Sequence, residues 1–126
     1  MLTDDTLTTL REAASAAHDK KGFALVGLEV GDLTSYADAF LLCSAASERQ
    51  VGAIVDAVRA RLRAGGRRPL QIEGSSGADW VLLDFGDVIV HVFTETRREY
   101  YALDTLWGDA PRLDAAALGL ETGPDA

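Results

Sequence analysis

The sequence predicts an α/β fold, a mixed β-sheet with flanking helices in a single domain. Three observations carry this. Apolar residues near the start recur at helical spacing, and two extended apolar runs follow. A strand, helix, strand succession then covers Ala39 to Gly74, the order that predicts a parallel crossover. Finally, the segment "DWVLLDFGDVIVHVF" places Gly86-Asp87 between two six-residue runs rich in strand formers, the signal of a two-residue hairpin. At 126 residues, the chain is long enough to close a core without metal or disulfide.

From Asp4 to Lys20, Leu7, Leu10, Ala14 and Ala17 lie on one helical stripe. Thr3 can cap it, and Asp4 and Asp5 suit the positive end of the helix dipole. Lys20, Lys21 and Gly22 mark its stop. "FALVGLEV", Phe23 to Val30, reads as a strand ended by Gly31-Asp32, and "LTSYAD" leads to a second strand, Ala39 to Ala45. Ser47 and Gln50 form a capping box, followed by the stripe Val51, Ile54, Val55, Val58 and Leu62 and by a stop at Gly65. "PLQIEG" is a short strand. Beyond the hairpin, Thr96 and Glu99 repeat the capping-box spacing for a helix through Tyr100, Leu103 and Trp107 to Gly108. The expected domain is therefore 1–108. Residues 109–126, rich in Pro, Ala, Gly and Asp, are expected to form a mobile tail with at most one helical turn.

Twelve basic residues stand against twenty acidic ones, a formal net charge of −8. Such a chain has no general attraction for phosphate backbones, so no direct specific nucleic-acid binding is expected. It is steered instead toward a basic partner. No apolar run reaches the roughly 20 residues of a membrane span, and the acidic start is not that of a secretory signal. A cytoplasmic location is expected. The single Cys43 offers neither a disulfide nor a zinc cluster, and no cofactor or metal is expected.

With Gly86 and Asp87 as the loop, residues whose numbers sum to 173 oppose one another. Val81, Leu83, Phe85, Val88, Val90 and Val92 then share one wholly apolar face. The other face mixes Trp80, Leu82 and Asp84 with Ile89, His91 and Phe93, the composition of a protein-binding surface. The partner-binding candidates are Trp80, Leu82, Asp84, Asp87 and His91. A helix over Arg97 to Trp107 could instead cover this face and leave His91 to pair internally with Asp84. No serine or cysteine sits in a nucleophile elbow, so an Asp–His pair does not make a hydrolytic site.

Three segments, "TSYADAFLLCSAASERQVGAIVDAV", "IEGSSGADWVLLDFGDVIVHVF" and "RREYYALDTLWGDA", occur in the order and spacing of one family. Over Thr6 to Asp109 the chain resembles the ribosomal silencing factors, the Iojap-related proteins. Ala45 and Ala46 stand where that family often carries Gly and Ser or Thr, a departure that matters only where the backbone needs positive φ. The resemblance implies a nucleotidyltransferase-like topology without enzymatic activity. It also implies a translational repressor acting under nutrient limitation. Its implied partner is the large ribosomal subunit, bound through ribosomal protein number fourteen so that the small subunit cannot join. A homodimer off the ribosome is a further implied state. Two other readings use the same residues, a nucleotidyltransferase-like enzyme and a dimeric adaptor. The first needs clustered carboxylates for magnesium, yet Asp32, Asp38, Asp84 and Asp87 form no Asp-x-Asp pair beside a phosphate loop. The second would bury the Trp80 face between two copies.

Overall fold

The computed structural model describes residues 2–74 and 77–120. Helix α1 (Asp4–Asp19) is capped by Thr3, whose side chain accepts from the Thr6 amide. Strands β1 (Phe23–Glu29) and β2 (Ala39–Ala45) form an antiparallel pair, and helix α2 (Glu48–Ala64) starts at the Ser47 cap. The capping box differs from the reciprocal form. Ser47 accepts from the Gln50 amide as expected, but Gln50 Oε1 accepts from the Ala46 amide. Its Nε2 donates to the Lys20 and Lys21 carbonyls, tying the start of α2 to the end of α1.

Strand β3 (Gln71–Glu73) leads to the hairpin of β4 (Trp80–Asp84) and β5 (Val88–Thr94). Its register is the one the loop arithmetic requires, with Val81 opposite Val92 and Leu83 opposite Val90. Gly86 has φ +92°, a value that a Cβ-bearing residue adopts only with strain, so the turn needs glycine at its first loop position. Helices α3 (Glu95–Tyr101) and α4 (Leu103–Leu106) follow, then a short strand β6 (Arg112–Leu113).

The six strands form one sheet in the order β3-β4-β5-β2-β1-β6. Only the β2–β5 pair is parallel; the others are antiparallel. The crossover through α2 therefore carries the chain past two strands to the sheet edge, where β3 runs parallel to β2 without touching it. Helices α1 and α2 cover one face. Their Leu10, Ala14, Ile54 and Val58 close a core over Leu41, Val81, Leu83, Val90 and Val92. A second core on the opposite face joins Leu28, Phe40, Leu42, Ile89 and Phe93 to Leu103 and Ala110.

Three expectations are corrected. The cap of α3 is Thr94, whose hydroxyl accepts from the Arg97 amide at 3.4 Å, not Thr96. The strand runs straight into the helix, so the cap falls on the last residue of β5. The single helix to Gly108 is broken at Ala102, which adopts φ 50°, ψ 43° and separates α3 from α4. The stretch from Asp109 packs onto the domain instead of hanging as a tail: Ala110 and Leu118 are buried, and β6 pairs with β1. Its apolar side chains cap the open side of β1, so the packed unit extends past Gly108 to Leu120; residues 121–126 lie outside the described residues. Neither Ala45 nor Ala46 has positive φ, so the departure there from family usage strains nothing.

Candidate partner-binding surface

The hairpin register sends Trp80, Leu82 and Asp84 to the face opposite α1 and α2, with Phe93, His91 and Ile89 beside them. One half of this face is covered and the other is left partly open. Over β5, β2 and β1 the face is covered. Leu103 and Ala110 enter the core there, and Trp107 meets Phe40 edge-on with ring centroids 5.2 Å apart. Over β4 and β3 the cover is incomplete: Tyr101 reaches Trp80 from α3, and Trp80 and Leu82 are only partly buried.

Arg98 holds the cover in place. Its guanidinium donates to the Ala24 carbonyl, to Ser44 Oγ and, through two nitrogens, to the Asp104 carboxylate, while lying over the Phe93 ring. This fork-to-fork geometry suits arginine and not lysine. The Asp104 carboxyl is held below the usual carboxylate range, first by its hydrogen bonds from Arg98. Arg97 donates to Asp79 at 2.7 Å and joins α3 to the start of β4.

At the boundary between covered and open halves stands Trp80. Its ring lies 4.4 Å from that of Tyr101, and its Nε1 donates to His91 Nδ1 at 3.3 Å. His91 is 5% exposed, and burial pushes its pKa down to about 4. The imidazole is therefore neutral near pH 7, with its proton on Nε2, an atom that has no partner among the described residues. Beside Trp80 and Leu82 lies a depression of about 150 Å³ whose other walls are Glu73 and Gly74. Gly74 has φ +98°, and a Cβ there would come within 2.5 Å of the Trp80 carbonyl. Tyr100 and Leu106, 75% and 70% exposed, project from α3 and α4.

Of the five candidates, the fold brings Trp80 and Leu82 together on open surface and sets His91 behind them. His91 is buried beneath Trp80 and accepts a hydrogen bond from its indole nitrogen, so it presents little surface of its own. Asp84 is on the same face but at the far end of β4, where its Oδ1 accepts from the Gly86 amide and closes the turn. It makes no pair with His91. Asp87 lies apart: its carboxylate accepts from Thr6 Oγ1 on α1, and its carbonyl accepts from the Asp38 and Ala39 amides. Tyr101, Tyr100 and Glu73 also border the open half and were not among the sequence candidates. Only the adjacent tyrosines in "REYYALDTLW" gave a signal, since neighbours on a helix point about 100° apart and cannot both be buried by one sheet.

Among the described residues no three His, Cys, Asp or Glu side chains converge as a metal site would require. Cys43 is fully buried, and burial pushes its thiol up to about 12, away from the thiolate form.

Comparison with known proteins gives a consistent result. The family described as "Ribosomal silencing factor during starvation" matches residues 3–125. Ribosomal silencing factor RsfS of Bacillus subtilis is 41% identical over 105 residues, spanning 83% of this chain and 89% of that protein. The chloroplastic protein Iojap of Zea mays is 31% identical over 80% of this chain and 44% of its own length. A crystal structure of a Chromobacterium violaceum protein superposes with TM-score 0.76 at 35% identity, covering 85% of this chain and 88% of that one.

Proposed function

The chain belongs to the ribosomal silencing factor family, and from that premise we propose that it represses translation by occupying the large ribosomal subunit. In this reading it binds ribosomal protein number fourteen and blocks joining of the small subunit when nutrients are short. The action is steric and needs no chemistry. A chain of this length spans roughly 30 Å by compactness scaling, enough to hold two subunit surfaces apart.

The observation that carries the reading is the family match along almost the whole chain. The half-open face supplies a surface of the right kind, with Trp80 as a rigid aromatic anchor, Leu82 and Tyr101 around it, and Glu73 and Asp84 at its rim. The net charge of −8 complements a basic ribosomal protein. Off the ribosome the same patch closes a homodimer that competes with subunit binding. The site of action is the cytoplasm.

The test is co-sedimentation of the purified protein with separated ribosomal subunits. Pelleting with the large subunit alone, together with a fall in reassociated ribosomes as protein is added, is the expected outcome. Equal pelleting with both subunits, or reassociation unaffected at saturation, would sink the reading.

A further inference from the structure

On the opposite side of the sheet from Trp80, the charge of the chain reverses. Five of its twelve basic residues, Arg59, Arg61, Arg63, Arg67 and Arg68, fall within ten positions at the end of α2 and in the loop after it, and no acidic residue lies among them. Two are used by the fold. Arg61 donates to Asp19 and Ser15 on α1, and Arg67 pairs with Asp5. Arg59, Arg63 and Arg68 carry no ion pair among the described residues, and Arg59 Nε is enclosed without a hydrogen-bond partner.

Stability does not call for this arrangement. Arg59 and Arg63 stand four apart on α2, and like charges at that spacing oppose helix formation where a carboxylate would favour it. The helix dipole accommodates a cation in the last turn, and Asp56, three residues before Arg59, suits that residue, but neither accounts for Arg68 beyond the helix. Screening limits the reach of the acidic remainder. At physiological salt the field of an exposed charge decays over about 8 Å, so a polyanion touching α2 meets the arginines first.

We propose that Arg59, Arg63 and Arg68 form a contact surface for the phosphate backbone of RNA, read without regard to sequence. Guanidinium groups match phosphate geometry, and such contacts fix position without specifying bases. The surface is distinct from the Trp80 face, so it gives the chain a second point of attachment. RNA is favoured over an anionic membrane because the family acts on a particle built largely of RNA, and that choice rests on the functional reading above.

The experiment uses the full chain and a labelled RNA duplex of arbitrary sequence, followed by fluorescence anisotropy between 50 and 200 mM KCl. Three phosphate contacts correspond to a loss of about 20- to 40-fold in affinity across that range. The triple variant Arg59→Gln/Arg63→Gln/Arg68→Gln is expected to lose the binding and its salt dependence at an unchanged melting temperature. The charge-matched variant Arg11→Gln/Lys20→Gln/Lys21→Gln is expected to keep both. No RNA binding by the natural chain, or equal losses in the two variants, would overturn the proposal. So would arginine-dependent binding to phosphatidylserine vesicles in place of RNA. Because no ribosome is present, failure here is separate from failure of the subunit test.

Discussion

Trp80 owes its position to two neighbours of different kinds. Tyr101 holds the ring from the helix side by contact, and His91 holds the indole nitrogen from beneath by a hydrogen bond. Truncation to Ala is expected to cost roughly 2 kcal/mol of stability, about half the figure for a fully buried aromatic. The same change is expected to weaken large-subunit binding by at least about 30-fold, as loss of an interface anchor does. Thermal unfolding and co-sedimentation on one preparation separate the two effects; a folded variant with unchanged binding would place the partner elsewhere. His91 makes a pH prediction. Its folded pKa, about 4, lies below the unfolded value of 6.5, so between those values the unfolded chain takes up a proton that the folded one refuses. Stability is therefore expected to fall as pH drops from about 6.5 to 4, by at most roughly 3 kcal/mol. A second loss follows at lower pH, as Asp104 protonates through its depressed pKa. Urea titrations at stepped pH check this, and His91→Gln should flatten the first slope while leaving the second.

At the scale of elements, the short helices matter most, because α3, α4 and the turn after them decide how much of the hairpin face stays open. Helix α3 has no fully buried residue of its own and is held largely by Arg98. Arg98→Lys is expected to cost about 2–3 kcal/mol despite keeping the charge, since one ammonium cannot span the acceptors a guanidinium reaches. The side chains of this pair are 12% and 31% exposed, hence a figure below that of a fully buried ion pair. Ala102→Gly should raise stability by about 0.5–1 kcal/mol, because alanine is strained at φ 50°; an unchanged urea midpoint would contradict the strain. Much of this level could be read from the chain. β2 matches its expected bounds, Ser47 and Gly65 delimit α2, and the sum of 173 reproduces the hairpin register. Those features depend on local rules, caps, turns and periodicity. What escaped depends on distant partners. The break at Ala102 and the pairing of β6 exist because the end of the chain folds back onto β1. The same long-range packing covers His91 while leaving Trp80 half open, and no period in the sequence encodes it.

For the molecule as a whole, charge and topology act over the longest range. With a net charge of −8, association with purified ribosomal protein number fourteen should slow as salt rises, while dissociation changes little. Stopped-flow traces at several ionic strengths measure both rates; an on-rate indifferent to salt would remove steering from the account. The parallel seam between β2 and β5 has a consequence of another sort. The β1–β2 and β4–β5 hairpins are local and can close on the ~1–10 µs scale. The seam joins strands with α2, β3 and β4 between them in sequence, so its loop-closure entropy is met before its contacts repay it, which is the slow step for such topologies. Closing that seam is also what sets Phe40 against His91, and Tyr101 reaches Trp80 only from the helix beyond it. A growing chain emerges N-terminus first, so the shelf around Trp80 is assembled late in synthesis. A half-made chain lacks it, so truncated products that end before α3 are without the Tyr101 contact that holds Trp80.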